Sequence, residues 1–113
     1  MPFSTQNPRP FNKTTVETLN PNQMGVYGIY RQGQWIYVGK GDIRKRLLDH
    51  LIGDNPCILK ENPTHWVDEV TANMDAREQQ LILELNPVCN KKVGYLLLQA
   101  SVIPLPSNSP LKR

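Results

Sequence analysis

The clearest signal along the chain is a change of hydrophobic period near residue 42. Before it, two β-branched and aromatic runs, Val26-Tyr27-Gly28-Ile29-Tyr30 and Trp35-Ile36-Tyr37-Val38, flank the polar link Arg31-Gln32-Gly33-Gln34. Such runs read as strands, and the glycine can take positive φ, so together they predict a β-hairpin. After it, Ile43, Leu47 and Leu51 recur at four-residue steps with Leu48 alongside, which predicts a helix. Asp42 is the expected N-cap, Gly53 the expected stop, and Gly39-Lys40-Gly41 the turn leading in.

Residues 54 to 63 carry Pro56 and Pro63 and read as a loop. His65 to Val70 predicts a third strand. A second helix starts near Asp75, places Leu81, Ile82 and Leu85 on one face, and ends at Pro87. A further short helix or strand is expected around Tyr95 to Leu98. The order β-β-α-β-α predicts an α/β (α+β) fold: a three-stranded, mostly antiparallel sheet flanked by helices. Residues 1–23, polar and proline-rich, read as an N-terminal arm in which Thr14 to Leu19 could pack as a turn or strand. The folded domain spans 24–98, and 99–113 reads as a loose tail.

Composition adds little to this picture. Apolar residues are 39% and charged residues 20% of 113, which suits one folded domain and excludes compositional disorder in the middle. A net charge of +3 permits a polyanionic partner without pointing to one. No apolar run is long enough for a membrane span or a signal peptide, so a soluble, intracellular, cytoplasmic protein is expected. Cys57 and Cys89 have no metal-site spacing, and two reduced thiols are the expectation in such a compartment.

Candidate chemistry sits on the two helices and the hairpin. Arg46 and His50 are four residues apart, on one helix face bordering the apolar stripe; taken singly they read as ordinary helix residues. Glu78 precedes Leu81, Ile82 and Leu85 by three, four and seven positions, so its carboxylate leaves the apolar face. A charge there needs a partner or a metal, although a capping box with Asp75 is a competing reading. Tyr27 and Tyr37 could be simple cross-strand packing. Gly39-Lys40-Gly41, followed by Arg44 and Lys45, has the makings of a short phosphate cradle at a helix start, without the spacing of a Walker motif.

Together these residues resemble the GIY-YIG nuclease family. Gly25-Val26-Tyr27 resembles its first motif and Tyr37-Val38-Gly39 its second. The run from Tyr37 to Leu51 resembles its second strand and first helix. Glu78 resembles its metal-binding glutamate, and Leu85-Asn86-Pro87-x-x-Asn90 its terminal asparagine motif. The resemblance runs from about Gly25 to Asn90. Gly28-Ile29-Tyr30 also spells the first motif, but Tyr30 would leave only seven residues to Tyr37, so Tyr27 is preferred.

The resemblance implies a metal-dependent endonuclease that hydrolyses phosphodiester bonds. Glu78 and waters would hold Mg2+ (or Mn2+), and Tyr27 would act as base or orient the water, given a lowered pKa. Tyr37 would position water or phosphate, Arg46 and His50 would serve the phosphate and its protons, and Asn90 would brace the site. Gly39, Lys40, Arg44 and Lys45 would contact nucleic acid. By family analogy DNA is expected rather than RNA, in repair or recombination. Intrinsic specificity is expected to be low, or supplied by a homodimer or a recruiting partner. The alternative is a non-catalytic nucleic-acid-binding module on the same fold.

Overall fold

The computed structural model describes residues 3–90; the segment around Tyr95 to Leu98 and the tail lie outside them. In chain order the elements are β1 (Arg9–Pro10), α1 (Lys13–Val16), β2 (Met24–Arg31), β3 (Gln34–Asp42), α2 (Ile43–Leu51), α3 (Pro56–Lys60), β4 (His65–Val70), α4 (Met74–Leu85) and a 3-10 turn, Val88–Asn90. The sheet runs β1-β4-β2-β3 with every pair antiparallel.

Each half of the pattern has a physical cause. β2 is central, so residues 25 to 29 are buried on both sides, which explains an unbroken apolar run in place of alternation. On one face Tyr27, Ile29, Ile36 and Trp66 pack with Val16, Ile43, Leu47 and Ile58 beneath α1, α2 and α3. On the other, Val26 and Val38 pack with Leu81, Ile82 and Leu85 of α4. The hairpin pairs Tyr27 with Gly39 and Ile29 with Tyr37, then shifts register so that Tyr30 meets Trp35. Gly33 turns the chain at φ 78°.

The sheet has four strands, not the three expected. β1 pairs with the outer edge of β4, Arg9 against Trp66 and Pro10 against His65. Two residues carry no alternation to read, and the proline ends the pairing at once. The arm is fastened further by Gln6, whose side-chain amide donates to Asp68 O at 2.7 Å and accepts from Asp68 N at 3.0 Å. Arg9 stacks 3.9 Å over the Trp66 ring. α1 starts at Asn12, which accepts from Thr15 N, and buries Val16 completely.

Three local expectations are also corrected. No turn intervenes at Gly39-Lys40-Gly41, because β3 runs on to Asp42, where the cap does accept from Lys45 N at 3.3 Å. The loop at 54 to 63 contains α3, begun by Asn55 as cap and Pro56 in the first turn, a combination that favours helix starts. Cys57 and Cys89 are joined in a disulfide with Cα atoms 5.8 Å apart. They are 32 residues apart in sequence, and only the folding of α3 against the 3-10 turn makes them neighbours.

Gly25 shows what the glycine of the first motif does structurally. A Cβ there would lie 2.2 Å from Glu69 O and 2.8 Å from Val70 Cα of the neighbouring strand. Neither backbone atom can step aside without separating β2 from β4. Gly25→Ala should therefore cost about 1–3 kcal/mol, in the range for overpacked cores. A thermal melt reads this directly, and an unchanged midpoint would refute the close β2–β4 approach.

Candidate active site

β2, β3 and α2 converge on Tyr27. Its cross-strand partner is Gly39, and a Cβ at Gly39 would lie 2.3 Å from the Tyr27 hydroxyl. The glycine, itself buried, provides the room in which the phenol lies across β3. The hydroxyl meets His50 Nε2 at 2.7 Å, and His50 Nδ1 meets Asp54 Oδ1 at 2.7 Å. An ionised carboxylate only accepts, so Nδ1 carries the proton, Nε2 accepts, and the Tyr27 hydroxyl donates. Burial holds the His50 pKa below its ordinary value, against the upward pull of Asp54. The imidazole is thus neutral at pH 7.

Tyr27 is wholly buried. Burial pushes its pKa far above the ordinary tyrosine value, reinforced by Tyr37, and the nearby Arg46 offsets this only in part. Tyr37 is half-buried, 6.3 Å from the Tyr27 ring and edge-on to His50 at 5.1 Å. Its pKa is also raised, by burial first and then by Glu78, with Arg46 pulling the other way. Tyr37 therefore stands within electrostatic reach of both the α4 carboxylate and the α2 guanidinium. Arg46 itself lies 3.2 Å from Asp49 and 3.7 Å from Asp54.

β3 is an edge strand, and the second half of the site lies around that edge. A cleft of about 290 Å³ is lined by Tyr37, Lys40, Asp75, Glu78, Gln79 and Asn90, among others. Glu78 faces it, 3.5 Å from Lys40 Nζ, with a pKa raised by burial and moderated by Lys40. The capping-box reading is excluded. Asn73 is the N-cap of α4, it makes no side-chain cap bond, and Asp75 reaches instead to Lys40.

Asn90 is buried and binds both polar groups of Val38, accepting from its N–H at 2.7 Å and donating to its carbonyl at 2.9 Å. It satisfies one rung of the exposed β3 edge, as Gln6 does at β4.

The structure thus brings Tyr27, Tyr37, Arg46 and His50 to one side of β3 and Glu78, Lys40 and Asn90 to its edge. Lys40 is engaged by two carboxylates of α4, Lys45 is largely exposed with Asp49 at 3.4 Å, and Arg44 is half-buried on α2. Asp54 and Asp49 were missed by sequence reasoning. Asp54 follows His50 by four, the same spacing that joins Arg46 to His50, but it lies beyond the end of α2, where helical spacing no longer applies.

No cluster of three or more His, Cys, Asp or Glu suited to a metal occurs among the described residues. Glu78, half-buried at this cleft and 3.5 Å from Lys40, is nonetheless the kind of oxygen donor that Mg2+ takes, since that ion keeps several waters and commonly uses one or two protein carboxylates. Among the described residues no helix is long and apolar enough to cross a membrane. No model of a known protein family matches the chain, and no curated protein matches it.

Proposed function

We propose that the protein is a metal-dependent endonuclease of GIY-YIG type, hydrolysing phosphodiester bonds in nucleic acid, DNA rather than RNA. The observation that carries this reading is the position of Tyr37, between Arg46 and the cleft that Glu78 faces. Phosphodiester hydrolysis needs an oriented water, positive charge at the phosphate, and a carboxylate for a hard cation. Tyr37 borders both sets of groups, Arg46 on one side of β3 and the Glu78 cleft at its edge.

Glu78, with waters, would hold Mg2+ or Mn2+; when bound, the ion supplies charge neutralisation at the phosphate and acidifies a water. Arg46 offers its planar fork to phosphate oxygens. Tyr37, the phenol that lines the cleft, orients the attacking water. Tyr27 stands behind it, with its hydroxyl committed to His50, and so supports the site from within. This reverses the emphasis that the motif resemblance places on Tyr27, on the ground of its complete burial. Asn90 keeps the β3 edge, and Tyr37 with it, in register.

The test is nicking of supercoiled plasmid with and without Mg2+, followed by a panel of duplex, branched, flapped and single-stranded DNA and RNA. Cleavage that requires a divalent ion is the expected result. Binding without cleavage under Mg2+ or Mn2+ would overturn the reading in favour of a non-catalytic binding module.

A further inference from the structure

We propose that Asp54 is a positioning residue of this site, fixing the orientation and tautomer of His50 and the placement of Arg46; this rests on the nuclease reading above. The chain reaches Asp54 through Gly53, whose φ of 92° is open to glycine at little cost. That reversal swings residue 54 back over the last turn of α2, with Gly53 N–H donating to His50 O at 3.1 Å and Asp54 N–H to Asp49 O at 3.2 Å. Oδ1 then meets His50 Nδ1 at 2.7 Å, and Oδ2 lies 3.7 Å from Arg46 Nη1. One carboxylate therefore touches the two α2 side chains that face the phenols.

The geometry leaves His50 no freedom. Its ring is 1% exposed and both nitrogens are engaged, Nδ1 by Asp54 and Nε2 by Tyr27. Rotating or flipping the ring breaks both bonds at once, in a ring almost wholly shielded from solvent. Without Asp54 the buried Nδ1–H has no acceptor. The favoured tautomer then moves the proton to Nε2, and the Tyr27 hydroxyl must turn from donor to acceptor in the bond between them. The Tyr27 hydroxyl, whose ring lies 6.3 Å from Tyr37, then no longer donates to His50 and its hydrogen must find another acceptor. The groups facing His50 are Tyr27 from β2, Tyr37 from β3, Arg46 and Asp49 from α2, and Asp54 itself. Asp54 and Asp49 raise its proton affinity, and Arg46 lowers it. Removing Asp54 therefore moves the point at which His50 protonates to lower pH.

The experiment compares wild type, Asp54→Ala and Asp54→Asn by 15N NMR of the imidazole, by thermal melt and by cleavage kinetics across pH. In wild type the neutral ring carries its proton on Nδ1. In Asp54→Ala the Nε2–H form should appear, kcat should fall about 100-fold, and the acid limb of the rate profile should move to lower pH. Asp54→Asn, which keeps the shape, should shift the acid limb the same way. If its carbonyl still accepts from Nδ1–H, the tautomer and much of kcat should be retained. Loss of activity in Asp54→Ala with tautomer and acid limb unchanged would mean a merely structural role and overturn the proposal. So would undiminished kcat, and in that case wild-type cleavage would leave the nuclease reading standing. A wild type that cuts nothing with Mg2+ or Mn2+ removes the nuclease reading and this role with it, whatever the NMR shows.

Discussion

Glu78→Ala should abolish metal-dependent cleavage, by about a thousandfold or more, while the protein stays folded. A thousandfold corresponds to about 4 kcal/mol of transition-state stabilisation, within reach of losing a divalent ion from a phosphoryl centre. Folding should survive for three reasons. The Glu78 side chain is 22% exposed, so its removal leaves no closed cavity. Its partner Lys40 keeps Asp75, so no buried charge is orphaned. Alanine is also the strongest helix former at a position inside α4. The cleft becomes more positive by one charge, so binding to nucleic acid should hold or tighten while cutting stops. Nicking rate against Mg2+ concentration, a thermal melt and a binding titration report the three effects separately. Undiminished cutting by this variant would remove the nuclease assignment.

The parts of the fold legible in the sequence were those whose cause is local. β2, β3 and β4 announce themselves through β-branched and aromatic runs, and α2 through Asp42 and its apolar step of four. What stayed hidden depends on distant partners. β1 exists because β4 has a bare edge, and neither Arg9 nor Pro10 encodes that. The Gly39-Lys40-Gly41 stretch looks like a turn locally, yet β2 holds it as strand through the pairs Val26–Lys40 and Gly25–Gly41. In the site, Glu78 was conspicuous because a carboxylate on an apolar helix face demands a reason. The burial of Tyr27 was not, since it follows from a missing Cβ on the opposite strand. Asp54 was invisible because a left-handed glycine, not helical spacing, delivers it to His50.

The same dependence on distant partners makes the Cys57–Cys89 bond the other place where a large effect is expected. Reducing it should lower stability by about 3–4 kcal/mol, as chain-entropy arguments give for a loop of the 32-residue separation it closes. In a domain of this size that is a fall in melting midpoint of roughly 10 °C or more. The consequence for the site is specific. Cys57 lies in the first turn of α3, three residues after Asp54, and Cys89 immediately precedes Asn90. The bond therefore ties the segment that delivers Asp54 to the turn that clamps Val38 on the β3 edge. Reduction should loosen both, so cleavage should lose its heat resistance before its rate at low temperature. Melts with and without a thiol reductant, beside the Cys57→Ala/Cys89→Ala double variant, measure this. Identical melts in all three would mean that the sulfurs are not bonded in solution. In a reducing setting such a pair is held as thiols. The fold must then rely on Trp66, Ile58 and the rest of the α1–α2–α3 core alone to keep Asp54 and Asn90 in place.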